Sequence, residues 1–452
     1  MSKQDPSVIR HTELIPYDQG VGIYRTYEDM TMPGNAVTSP WTFTGWVDET
    51  LSWKETCYLG AVLNPPLVAE VKGPDALKFM QDYFVNGFSK FKVGTGRHGI
   101  ICNEDGYIMA DGVLLRLAED HFQTFFMSPV TEICFSKGDY NATCETLTGQ
   151  RFMYQIAGPR ALEVIEQACQ EDLHDLKFMH FRDATINGKN VRVLRMGMAG
   201  ALAYEVHGVT EDSMEVYSHL WEVGQKYGMR RLGWQAYCIC NHTENGFPQG
   251  MYHYTYPWQN DEVIAQVMQL DGPAQPFRGS MGDEFEELHY VTPYDNGWGS
   301  RVKFDHDFQG RAALEKIVQN PPRRMVTLEW NEEDCIDVMA SIFRDQTYDI
   351  MALPYYETYD AEDALYMDKV LNDEGRVIGG SSGRVYTYYY KKMISLCSIE
   401  KEYAEEGTEV TIVWGEGELK KNIRAKVARF PYLDLPNNNS FDVETIPHFQ
   451  KA

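Results

Sequence analysis

Ile156-Ala-Gly-Pro-Arg-Ala-Leu162 repeats the pattern of Val71-Lys-Gly-Pro-Asp-Ala-Leu77, and each follows a strand-like run and opens a helix. Pro74 and Pro159 are expected at the first helical position, where a missing N–H costs nothing. The helix after Pro74 should turn Leu77, Met80 and Phe84 inward, and that after Pro159 Leu162, Ile165 and Ala168. Two related halves are implied.

Between the two units the pattern predicts a meander of strands, 98–103, 107–117 and 122–128, with Asp111-Gly112 interrupting the middle one. Beyond the second unit, Val193-Leu-Arg-Met-Gly-Met-Ala-Gly-Ala-Leu-Ala-Tyr-Glu-Val-His207 reads as two short strands joined at Gly197 and Gly200, with Glu205 on the second. A carboxylate on a rigid strand matches the paired N–H donors of a 2-amino-pyrimidinone such as a pterin. The plainer alternative is an ordinary hairpin with a solvated glutamate. A helix should then start at Thr210, bury Met214, Tyr217, Leu220 and Trp221, and end at Gly228. Residues 264–296 suggest a long surface excursion or lid. After the linker Asn320-Pro-Pro-Arg, the runs 324–330, 376–380, 393–399 and 409–414 predict a small C-terminal β-barrel.

At 452 residues the chain must divide into several lobes, and with 43% hydrophobic and 24% charged residues it is globular in composition. A net charge of −25 repels nucleic acid and anionic membrane, so neither is expected as a partner. No apolar run is long enough to span a bilayer and the start shows no secretory pattern, which predicts a cytoplasmic enzyme. Nine scattered cysteines predict reduced thiols. Cys238, Cys240, His242 and His253 lack structural-zinc spacing, and no metal is expected. An anionic cofactor tail would need local cations, for which Arg182, Arg195, Arg230 and Arg231 are candidates. Trp41, Phe43, Trp46, Trp53, Tyr252, Tyr254, Tyr256 and Trp258 offer flat surfaces for stacking.

Several of these stretches together resemble the aminomethyltransferase family of the glycine-cleavage T-protein. They are the two Gly-Pro units, the Arg195–Glu205 strand pair, Asp307-Phe-Gln-Gly-Arg-Ala-Ala-Leu314 and Gly407-Thr-Glu-Val410. Within the family the likeness is strongest to tetrahydrofolate-dependent vanillate and syringate O-demethylases, through Arg195-Met-Gly-Met-Ala-Gly200, Val302-Lys-Phe-Asp-His-Asp-Phe308, Val326-Thr-Leu-Glu-Trp330 and Ala340-Ser-Ile-Phe343. The resemblance implies an α+β, three-lobed folate-binding fold with two related α/β lobes (1–320) and a C-terminal β-barrel (321–452). It also implies methyl transfer from a small methoxyaromatic to tetrahydrofolate.

Carried over by position, Glu205 and Gln155 would hold the pterin. Tyr237 would cap the methoxy oxygen, Tyr24 would be a second tyrosine of the pocket, and Asp111 an acid near the folate. Where the T-protein has two adjacent acids, this chain has Ala110 and Asp111. Ala201 replaces a T-protein glutamate, which argues against an aminomethyl-lipoyl substrate. Val62 and Pro65 stand where the demethylases have a glutamine and a histidine, and Met127 where they have an arginine for the substrate carboxylate. If those three line one wall, vanillate should turn over weakly relative to guaiacol. Glu244 either orients the folate or ends a helix before Gly246, and Arg195 joins it as a candidate for the cofactor. Rival readings are a demethylase of a sulfonium or methylamine, an aminomethyltransferase, a folate binder without methyl transfer, and a silent structural domain. The oligomeric state is open.

Overall fold

The computed structural model describes residues 10–11, 14–16, 23–28, 36–198, 200–267, 278–355 and 365–450. Three bodies are built around a five-stranded sheet, a six-stranded sheet and a closed barrel, with a smaller three-stranded sheet, Arg10–His11, Ala36–Thr42 and Ile23–Glu28, beside them.

The first sheet has the order Thr95–Cys102, Ile108–Ala118, His121–Phe125, Val68–Lys72, Thr143–Thr146. The expected meander forms its first three strands. Asp111-Gly112 does not interrupt the middle strand, because Asp111 pairs with Ile100 and Gly112 with Gly99. Glycine is required there for another reason: a Cβ on Gly112 would lie 2.0 Å from the Phe125 carbonyl oxygen. The register shift falls instead between Ile101 and Cys102.

The second sheet runs Phe181–Ile186, Lys189–Leu194, Ala203–Val209, Arg151–Ala157, Cys57–Gly60, Met229–Leu232. On one face Leu59, Ile156, Tyr204 and Val206 pack with Leu162, Ile165, Val216 and Leu220 of the helices Ala161–Cys169 and Ser213–Gly224. The latter helix buries Val216, Tyr217, Leu220 and Val223. Met214 is exposed, contrary to expectation, because the face that meets the sheet is rotated toward Val223. Alternation along each strand sends Glu205, Gln155, His207 and Tyr58 to the opposite face, toward the middle of the molecule. There Met153 and Leu194 of this sheet meet Val68, Val113 and Phe125 of the first.

The two Gly-Pro units are the same turn. Gly73 has φ 137° and Gly158 φ 131°, and the helices begin after Asp75 and Arg160, whose backbone angles nearly coincide. Any Cβ would strike backbone, at 2.7 Å from Ala142 Cα beside Gly73 and 2.5 Å from Thr56 O beside Gly158. The prolines therefore lie in the turn just before the helix rather than at its first residue. The internal repeat is real in three dimensions.

Six strands close the C-terminal barrel in the order Arg323–Trp330, Lys392–Glu400, Val377–Thr387, Met367–Leu371, Glu409–Trp414, Lys421–Ala428. Two of them, Met367–Leu371 and Lys421–Ala428, are not among the sequence expectations. Residues 278–296 are not a surface excursion. Met281 and Leu288 pack with Leu365 and Met367, and Ser280 N donates to Asp368, so the segment lies against the barrel; residues 268–277 are outside the described residues. After the barrel the chain returns to the second lobe, where Val443 and Ile446 join its core. No helix among the described residues is long and apolar enough to cross a membrane.

Candidate active site

One row of residues across the second sheet, Leu194–Glu205–Gln155–Gly60, sets the site. Glu205 and Gln155 are direct cross-strand partners on the inner face. Gln155 Nε2 donates to Glu205 Oε1 at 3.0 Å, and His207 Nε2 to Oε2 at 2.9 Å. Both oxygens thus keep one acceptor position each, since a carboxylate offers about four lone-pair sites. Glu205 is only 1% exposed, so its free positions are not filled by bulk water. Glutamate orientation is fixed from both sides, as a two-pronged anchor for a planar amidine requires.

Tyr237 lies on Ala236–Asn241, a π-helical turn whose six residues are all buried. Such turns are concentrated at functional sites. Its approach is held by Glu49, wholly buried, whose Oε2 accepts from Gly233 N at 2.7 Å and whose Oε1 accepts from Phe43 N at 2.6 Å. The Tyr237 N–H donates to Gly233 O. Burial, then the neighbouring Tyr58 and Glu205, push the Tyr237 phenol well above its usual value. It stays protonated. Gln155 stands beside the hydroxyl, yet neither the Tyr237 hydroxyl nor Gln155 Oε1 completes a hydrogen bond, and both are shut away from solvent. Orphaned buried polar atoms are rare in folded proteins and call for a polar partner. Glu205 and Tyr237 therefore share one locus, as a single small molecule would need.

The remaining expected residues divide. Val62 joins Tyr58, Trp41, Ala201 and Tyr237 in one buried cluster. Met127 belongs to the first-lobe core with Phe84 and Leu114, and Pro65 is half-buried beside Asn64, which ties its loop to Met153. Val62 and Met127 thus pack in different core clusters. Tyr24 is half-buried opposite Pro40. Its neighbour Arg25 covers the ring of Trp41, itself part of the Tyr237 cluster.

Asp111 has three of its roughly four acceptor positions filled by the protein. Tyr254 and Tyr256 hydroxyls donate to Oδ1 at 2.5 and 3.1 Å, and His98 Nε2 to Oδ2 at 2.9 Å. Burial pushes its carboxyl up, but the bonds from His98 and the tyrosines prevail and hold it below the usual range. Its carboxylate thereby fixes the positions of His98, Tyr254 and Tyr256. Arg195 is also redirected: its guanidinium donates to Asn438 Oδ1, Asn438 O and Leu176 O, clamping the C-terminal segment instead of a cofactor tail. Arg230 binds Asp48, Arg182 binds Asp175, and Arg231 lies over the rings of Phe43 and Trp221.

Glu244 does more than precede a helix end at Gly246, whose φ is 61°. It forms a buried 2.5 Å ion pair with Lys54. Burial pulls the Lys54 ammonium down while Glu244 opposes it. An uncompensated charge would be costly there, so the pair acts as a structural tie rather than as part of the cofactor site. The expected stacking set likewise turns out to be mixed. Tyr254 and Tyr256 hold Asp111, and Trp258 stacks on Tyr256 at 4.7 Å.

Sequence reasoning misses His98, His207, Tyr58 and Asn241; no motif marks them. The ring of His242 bridges the two parts of the site, 5.8 Å from Tyr237 and 6.2 Å from Phe247, which lies 5.1 Å from His98. Cys238 donates to Tyr252 and His253 pairs with Thr243, so the Cys238–His253 group shows no metal-like convergence. Among the described residues, Asp172, His174 and His448 could converge on an ion, but they already pair with one another and with Glu166 and Ile446 O.

Residues 39–250 match the GCVT N-terminal domain. The sesamin methylene transferase of Sinomonas sp. strain No.22 is 41% identical over 90% of this chain and 93% of that protein. The syringate O-demethylase of Sphingobium sp. strain NBRC 103272 / SYK-6 is 31% identical over 87% and 89%. The crystal structure of aminomethyltransferase T from Bartonella henselae superposes over 95% of this chain and 99% of that one, with a TM-score of 0.68 at 17% identity. A shared fold, a shared domain and full-length similarity converge: the chain belongs to the GCVT aminomethyltransferase family.

Proposed function

We propose that the protein transfers a methyl group from a methoxylated arene to tetrahydrofolate, giving 5-methyltetrahydrofolate. The observation that carries this reading is the meeting of a half-free buried carboxylate, Glu205, with an orphaned buried phenol, Tyr237. Full-length similarity to a one-carbon transferase and an O-demethylase supports it. Residues 1–320 would form the folate-binding catalytic region and 321–452 the barrel domain.

When bound, tetrahydrofolate supplies a secondary amine as the acceptor of the carbon. Glu205 would hold the amidine edge of its pterin through its two free acceptor positions, and Gln155 Oε1 would accept a further N–H. Tyr237 donates its hydrogen to the ether oxygen, where charge grows as the C–O bond breaks. Its raised pKa favours a retained, strongly placed proton over full release. Tyr24 and Val62 border the arene. A closed apolar surround excludes water and strengthens each polar contact.

A second reading is favoured by the greater identity to the methylene transferase: the carbon moved would be a methylene shared by two aryl oxygens. Incubating the protein with tetrahydrofolate and a panel of methoxy- and methylenedioxyarenes, then analysing the folate by mass, separates the readings. Formation of 5-methyltetrahydrofolate, a net gain of CH2, supports the first and of a methylene-bridged tetrahydrofolate, a net gain of one carbon atom, the second; unchanged folate with every donor refutes both. Tyr237→Phe should lower ether cleavage by about 100-fold or more. Indifference to that change would point to a sulfonium or methylamine donor, whose leaving group departs neutral.

A further inference from the structure

We propose that His98 is a catalytic base: its Nδ1 takes the proton that the acceptor amine gives up as the carbon arrives. This rests on the one-carbon transfer reading above and adds a residue to it. Asp111 Oδ2 accepts from His98 Nε2 at 2.9 Å, which places the imidazole hydrogen on Nε2 and leaves Nδ1 as a bare acceptor. Nδ1 is buried and bonds to nothing. A fixed tautomer with one nitrogen on a carboxylate and the other bare is the arrangement of an oriented general base.

The surroundings fit the role. Asp111 is itself held by Tyr254 and Tyr256, so its carboxylate cannot swing away from His98. The imidazole is wedged between the rings of Phe247 and Trp298, at 5.1 and 4.5 Å. Burial keeps it neutral, with Asp111 pulling its pKa up and Arg301 pushing it down. Arg301, lowered to about 10 by burial, is the cation among the described residues that acts on it. His242 also feels the charge of Asp111 and joins this group to Tyr237 through ring contacts. His207 likewise has a bare Nδ1, but its ring lies 4.5 Å from Phe125, on the side where it braces Glu205.

The step balances. The amine lone pair forms the C–N bond, the C–O pair stays on the aryl oxygen under Tyr237, and the N–H proton moves to His98 Nδ1. From there it returns to the phenolate, restoring the enzyme without oxidant or reductant. Asp111 acts through His98 and is a positioning residue.

The test uses the full chain with 15N-labelled histidine. Tetrahydrofolate should move the His98 Nδ1 resonance strongly, and 5-methyltetrahydrofolate, which lacks the reacting N–H, should move it far less. His98→Asn keeps a donor for Asp111 but has no base; methyl transfer should fall about 100-fold or more, the range for a lost general base. Its acidic limb in the pH profile should disappear, with tetrahydrofolate affinity within about threefold of the parent. His207→Asn should instead weaken tetrahydrofolate binding. An Nδ1 resonance indifferent to bound tetrahydrofolate, or a His98→Asn variant with the parent pH profile, overturns the proposal. Should no arene donate carbon at all, the transfer reading fails, while the resonance on bound tetrahydrofolate still decides whether His98 meets the amine.

Discussion

The two lobes repeat one turn but end in carboxylates with opposite duties. In the first, Asp111 receives three side-chain donors and keeps a single acceptor position, on Oδ2. In the second, Glu205 receives two and keeps a planar edge free. Each is braced by a histidine Nε2, yet only Glu205 of the two keeps an acceptor position on both oxygens. The scaffold repeats, and the donor count on each carboxylate sets how many acceptor positions it has left to offer.

The largest test of that contrast is Glu205→Gln. The amide keeps the size of the side chain but loses its charge and one acceptor edge, so tetrahydrofolate affinity should drop a hundred- to a thousandfold, about 3–4 kcal/mol. Calorimetry reads this directly. An affinity within threefold of the parent would mean that the free edge of Glu205 is not the anchor.

Next comes the histidine core between the carboxylates. Burial holds His242 at about 4 and His253 at about 3, both below the ordinary 6.5. The unfolded chain therefore binds more protons between those values and 6.5, and stability present above pH 6.5 is lost as pH falls through that window. At pH 5 the loss is roughly 2 kcal/mol for each histidine. Urea midpoints at pH 7.5 and 5 check it, and His253→Gln should flatten part of the slope.

Asp111→Asn is the counterpart of the first test with the opposite outcome. It leaves a neutral acceptor for the tyrosines and weakens the bond to His98, costing about 1–2 kcal/mol of stability. Tetrahydrofolate affinity should hold within about threefold while turnover falls, since Asp111 touches protein groups alone. A large loss of affinity would show that Asp111 reaches the cofactor after all.

The repeat was readable because Gly-Pro turns carry a local signal: a φ near 130° admits little but glycine. The barrel was half readable. Strands dense in apolar residues announce themselves, whereas Lys421–Ala428 alternates too but carries Asn422, Arg424 and Lys426 between its buried Ile423, Ala425 and Val427. Glu205 stands out because it is a carboxylate on the second strand of a pair joined at Gly197 and Gly200. His98 did not, since a lone histidine in a strand gains meaning only when a distant Asp111 fixes its tautomer. The same long-range logic misled the reading of Arg195 and Glu244, whose partners Asn438 and Lys54 lie far away in sequence.

Arg195 provides the smallest and most specific check, because sequence reasoning gave it to the cofactor and the structure gives it to the tail. Its planar fork reaches Asn438 and Leu176 O at once, a geometry that a lysine ammonium cannot reproduce. Arg195→Lys should keep the charge yet lose about 1 kcal/mol of stability, the worth of a typical net hydrogen bond. Protease cleavage near residues 437–441 should rise, because Asn438 would keep only its bonds to Gly200 O and Ala203 O. Tetrahydrofolate affinity should not change. A selective loss of affinity for polyglutamylated folate, with the tail still protected, would return Arg195 to the binding site and make the second lobe hold its ligand at both ends.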